Sequence, residues 1–201
     1  MTYDNETTIL KEIYAILSRK EYVDSFISAF RSDGSWTKFI SAIAHELADK
    51  KKLKCHDEYY TIDHALYAED DAIRQGWLEH RTSCVNGVWL KRIRVAFEHE
   101  NRLDSAGGYQ EIAKLILFNA DCKVLMGYAN KGDNYDNYAM DYQAIYKDAR
   151  QSGDVRPILF VGEYPLDRKS GSVVKLDAYL ITIEGLFKYD WTDGKWDAMT
   201  S

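Results

Sequence analysis

The segment at residues 92–100, RIRVAFEHE, carries the side chains best placed to do chemistry. In an extended strand side chains alternate, so Ile93, Val95, Phe97 and His99 share one face while Arg94, Ala96, Glu98 and Glu100 share the other. Two glutamates on one side of a central strand repel each other and resist desolvation. A hard divalent cation such as Mg²⁺ or Mn²⁺ relieves both costs, because it takes carboxylate and water oxygens as ligands. The same pair is also accommodated if the strand leaves the core at Glu98, or if an arginine neutralises it.

Two further acids point the same way. Asp63 sits inside a run of strand-favouring residues, where aspartate is depleted. If the two strands are neighbours, Asp63 completes a three-carboxylate cluster with Glu98 and Glu100. Glu46 lies three residues after Ile43 and seven after Phe39, on the apolar side of its helix, or else at the edge of that stripe with its carboxylate in water. The histidines are weaker candidates. His99 shares a face with Val95 and Phe97, His64 alternates with Ile62 and Leu66, and His45, His56 and His80 lack ligand spacing. Cys55, Cys84 and Cys122 are far apart and form no CxxC, which fits free thiols rather than a disulfide framework or a zinc site.

The elements that must position these residues follow from periodicity. Ile9, Leu10, Ile13, Tyr14 and Leu17 repeat at helical spacing, and Tyr22, Val23, Phe26, Ile27 and Phe30 repeat likewise. Trp36, Phe39, Ile40, Ile43 and Leu47 form the stripe of a third helix. Period-two alternation then predicts a strand over 59–67, and Asn86-Gly87 signals a turn before a long strand over 88–100. Residues 68–84 are polar and take no clear assignment. A helix is expected over 109–119 with Ile112, Leu115 and Ile116 inward, then a buried strand over 123–129 (KVLMGYA). A tyrosine-rich helix over 137–150 and strands over 157–162 and 173–183 follow, with an edge strand or loop from Phe187. The result is an α/β fold with a mixed central sheet flanked by helices.

The 201 residues suit one domain, with an N-terminal helical segment over 1–34, a core over 36–129 and a C-terminal helix and strands over 130–201. Hydrophobic content of 46% supplies a core, and no apolar run reaches the roughly 18 residues of a membrane span. The N-terminus carries acids where a signal peptide carries positive charge, so a cytoplasmic protein is expected. The net charge of −6 argues against nucleic acid, since phosphate binding draws on basic patches. Two basic clusters remain available, Lys50-Lys51-Lys52-Lys54 and Lys91-Arg92-Arg94, unless both are solvated faces.

Taken in order, a helix with Glu46, a strand with Asp63, a strand with Glu98-x-Glu100, a helix and a strand resemble the core of the PD-(D/E)XK nuclease superfamily (restriction-endonuclease-like) over residues 36–129. The resemblance implies a helix, a three-stranded meander, a second helix and a fourth strand built around a metal site. It makes Asp63 and Glu98 the ligands of Mg²⁺ (or Mn²⁺) and Glu46 the helix acid. Glu100 takes the place of the motif lysine. The implied activity is hydrolysis of phosphodiester bonds, with DNA as the partner, a homodimer as a natural assembly and no membrane. Three departures stand out. Isoleucine precedes Asp63 where the motif has proline. The interval from Asp63 to Glu98 is long, so 68–84 is an insertion, or else Asp70 or Asp71 is the true partner. The lysine is missing, which leaves either an enzyme with a variant site or an inactive nuclease-like scaffold that binds nucleic acid or a protein.

Overall fold

The stripes and alternations bury as hydrophobic segregation demands. The computed structural model describes residues 3–22, 25, 33–73, 89–100, 107–128, 134–149, 156–163 and 176–199. Helix α1 (Asp4–Leu17) buries Ile9, Leu10, Ile13, Ile16 and Leu17. Helix α2 (Asp33–Lys51) buries Trp36, Phe39, Ile40, Ile43 and Leu47. Most of the second expected helix, over residues 22–30, lies outside the described residues, as does the Asn86-Gly87 turn.

Strands β1 (Lys54–Tyr59) and β2 (Ile62–Tyr67) form a hairpin closed at Tyr60-Thr61, where the single expected strand over 59–67 divides. Only Tyr59 of β1 is buried. An edge strand half in water carries no apolar alternation, and so β1 left no periodic signal. A 3₁₀ turn (Glu69–Asp71) leads to a short ribbon of β3 (Ala72–Ile73) and β4 (Trp89–Leu90). Strand β5 (Ile93–Glu100) begins only after Lys91 and Arg92, so the expected long strand over 88–100 is interrupted. Helix α3 (Gly107–Leu117), β6 (Ala120–Tyr128), α4 (Tyr135–Asp148) and β7 (Ile158–Glu163) follow. A meander of β8 (Leu176–Ile181), β9 (Leu186–Asp190) and β10 (Lys195–Ala198) ends the chain.

The sheet order is β1-β2-β5-β6-β7-β8-β9-β10. Strands β5, β6 and β7 run parallel, with α3 and α4 as their crossovers, and every other neighbouring pair is antiparallel. This is an α/β fold with a mixed sheet flanked by helices. Parallel strands are covered on both faces, which explains their near-continuous apolar sequences. In β7, Leu159 and Val161 pack on the α1–α2 side while Ile158 and Phe160 pack on the α3–α4 side. Gly162 is needed there because the Tyr135 ring lies where a Cβ would stand. Among the described residues no helix is long and apolar enough to cross a membrane.

Candidate metal centre

The β2–β5 register brings the first two acids together. His64 pairs with Phe97, and one step further along the antiparallel ladder Asp63 comes beside Glu98. Helix α3 then crosses the same face and contributes Glu111 and Lys114, which sit beside the inward Ile112 and Leu115. One oxygen each from Asp63, Glu98 and Glu111 all fall within 4.8 Å of one another. Lys114 Nζ donates to Glu111 Oε2 at 2.6 Å and lies 3.7 Å from Glu98 Oε2.

Glu98 is the centre of the group. It is fully buried, and neither of its oxygens accepts a hydrogen bond among the described residues. Its carboxyl is pushed up to about 10, first by burial and then by Glu111 and the charge of Asp63, with Lys114 opposing. A proton on Glu98 can be donated to Glu111, which satisfies an oxygen that otherwise has no partner. Asp63 behaves in the opposite way. Burial works against its charge, but His99 outweighs that and holds Asp63 down at about 2. The His99 backbone N–H donates to Asp63 Oδ2 at 2.9 Å, and His99 Nδ1 lies 2.7 Å from the same oxygen. For Lys114, burial lowers the pKa, but the two glutamates more than compensate and keep the ammonium charged.

The residues fit a hard cation. Three carboxylates and no soft donor are the ligand set of Mg²⁺ or Mn²⁺. The orphaned buried oxygens of Glu98 are what such an ion would satisfy. Asp63 also opens onto a cleft of about 300 Å³ between α2 and the β1–β2 hairpin, lined by Lys38, Asp57, His64 and His99 among others. A larger pocket of about 570 Å³, lined by Tyr60, Lys91, Arg92, Phe118 and Arg156, contains none of the three carboxylates. The carboxylates, unlike that pocket, bring together three groups able to ligate a cation.

The remaining expected residues fall elsewhere. Glu100 lies two positions beyond Glu98, opposite Gly127 of β6, and is half-buried. It is not one of the converging acids. Its charge instead adds to the burial that raises the Tyr142 hydroxyl. Glu46 is not brought to the cluster either: it ion-pairs with Arg19 and accepts from the Tyr22 hydroxyl at 2.7 Å. Asp71 is engaged by Arg94 through two hydrogen bonds of 2.6 and 3.1 Å, and is therefore committed to a structural pair. In the basic clusters Lys50 pairs with Glu12, Lys54 with Glu69, Arg92 with Asp121 and Arg94 with Asp71, which lowers their availability to phosphates. Sequence reading missed Glu111 as a candidate ligand. The signal was present, since it immediately precedes Ile112 and stands four before Leu115 on the buried stripe. No family model, curated protein or solved structure matches the chain.

Proposed function

We propose that this chain is a metal-dependent nuclease that hydrolyses phosphodiester bonds, with DNA as its substrate. The observation that carries the reading is the convergence of Asp63, Glu98 and Glu111, in which the fully buried Glu98 oxygens accept no hydrogen bond among the described residues. Asp63, Glu98 and Glu111 would hold Mg²⁺ or Mn²⁺, and His99 fixes the Asp63 carboxylate in its ionised form. When bound, such an ion polarises a phosphate oxygen and lowers the pKa of a bound water. Lys114 supplies a positive charge beside Glu98, as a lysine at position 100 would have done, and opposes the negative charge that grows on the phosphate during attack. The resemblance to the PD-(D/E)XK nucleases supports the assignment of Asp63 and Glu98.

The second reading, an inactive nuclease-like scaffold, draws on Glu100 at the motif lysine position and on the paired basic clusters. A calorimetric Mn²⁺ titration of the wild type, Asp63→Ala and Glu98→Gln, run beside cleavage of supercoiled and single-stranded DNA, separates the two. Binding lost in both variants together with metal-dependent cleavage supports the nuclease. Binding without cleavage of either DNA supports the scaffold. A wild type that binds no metal, with or without DNA, removes the basis of the nuclease reading.

A further inference from the structure

A second set of donor atoms lies on the α2 side of the sheet and is chemically unlike the first. Period two on the edge strand β1 turns Cys55 and Asp57 to the same face, and Cys55 packs against the core under α1 and α2. From α2, His45 Nε2 reaches Asp57 Oδ1 at 2.9 Å and Oδ2 at 3.1 Å. Cys55 Sγ lies 3.7 Å from Asp57 Oδ1. One donor atom from each of His45, Cys55 and Asp57 falls within 4.8 Å of the other two. Behind them, His64 is 4% exposed and holds Asp57 Oδ1 through Nδ1 at 2.8 Å, while its Nε2 meets no partner among the described residues. No competing bond at Nε2 dictates the tautomer, so the Nδ1 proton is free to serve the carboxylate.

An imidazole nitrogen, a thiol and a carboxylate form a borderline-soft donor set, suited to zinc rather than to magnesium. Tetrahedral zinc with bonds of about 2.0–2.3 Å separates its donors by roughly 3.3–3.8 Å. The spacings here bracket that range, so side-chain rotation is enough to close the site. We propose that His45, Cys55 and Asp57 form a second cation site, selective for zinc, with water as its fourth ligand. Binding releases the Cys55 thiol proton to solvent and places the His45 proton on Nδ1, which frees Nε2 to coordinate. The ion ties α2 to β1, an edge strand with only Tyr59 buried. The proposal does not rest on the nuclease reading, although Asp57 and Asp63 line the same cleft.

The test is a Co²⁺ titration of the full chain in a non-thiol reductant, followed by absorption. We expect an intense near-ultraviolet thiolate-to-cobalt band with tetrahedral visible bands, displaced by one equivalent of Zn²⁺. Cys55→Ser should lose the near-ultraviolet band, and His45→Gln should weaken Co²⁺ binding at least tenfold. Glu98→Gln should retain the near-ultraviolet band, because the carboxylate centre offers no sulfur. A wild type without the charge-transfer band overturns the proposal, whatever the variants do. A band of full strength in Cys55→Ser, or unchanged affinity in His45→Gln, overturns it as well.

Discussion

Lys114 Nζ stands 3.7 Å from Oε2 of Glu98, although one belongs to α3 and the other to β5. That approach places a cation beside a buried carboxylate whose strand carries glutamate, not lysine, at position 100. Lys114→Ala is therefore expected to lower the rate of DNA cleavage by roughly 10²–10³-fold while leaving Mn²⁺ binding intact or tighter. Single-turnover cleavage beside calorimetry checks this. Unchanged cleavage would assign Lys114 to packing alone.

Glu98→Gln should be at least as stable as the wild type in the absence of metal. The wild-type carboxyl is protonated at neutral pH because its pKa is pushed up to about 10, and the amide copies its shape and its donor. At about pH 4, where the side chain is largely protonated in the folded and the unfolded state alike, urea denaturation should place the two within about 1 kcal/mol, the net worth of one hydrogen bond. By about pH 7 the variant should be the more stable. A variant less stable than the wild type at neutral pH would show that Glu98 is charged in the folded protein.

The same group sets a pH dependence. Glu98 is raised in the folded state, so its stabilising contribution is complete below its unfolded pKa of about 4.3 and is lost as pH rises towards about 10. With the folded state holding the extra proton, metal-free stability should fall by up to about 1.4 kcal/mol per pH unit across that window. Asp63 acts in the opposite sense: its contribution is present above its unfolded pKa and is lost only as pH falls towards about 2. Denaturation midpoints between about pH 5 and 9 should slope downward in the wild type and flatten in Glu98→Gln. Mn²⁺ binding should tighten as pH rises, since the ion and the proton compete for one carboxylate.

Glu46→Gln should leave Mn²⁺ binding unchanged, because Glu46 is held by Arg19 and Tyr22. Its effect on stability should stay near or below about 1 kcal/mol, as for a partly exposed pair. Lost metal binding in a folded variant would return Glu46 to the centre.

Gly162→Ala should destabilise by about 1–3 kcal/mol, since the added methyl would meet the buried ring of Tyr135. Denaturation of this variant beside Gly162→Ala/Tyr135→Leu checks the cause, because the smaller partner should recover part of the loss.

The described helices and the buried parallel strands could be read in the sequence, because burial imposes periods of 3.6 and 2 on neighbouring residues. The pairing of Asp63 with Glu98, by contrast, was open until the β2–β5 register fixed it. Local patterning marked Glu98 and Glu100 together, as two acids on one face of a strand. Strand β1 escaped notice because its pairing uses backbone groups while most of its side chains face water. Tertiary structure alone decided which third acid joins the site. Glu100 follows Glu98 on its strand yet lies apart, whereas Glu111 and Lys114 arrive from a crossover helix whose angle no sequence spacing encodes. The same reason separates Glu46 from the cluster and assembles His45, Cys55 and Asp57: proximity between elements is set by how their apolar faces pack, and that is a property of the whole core.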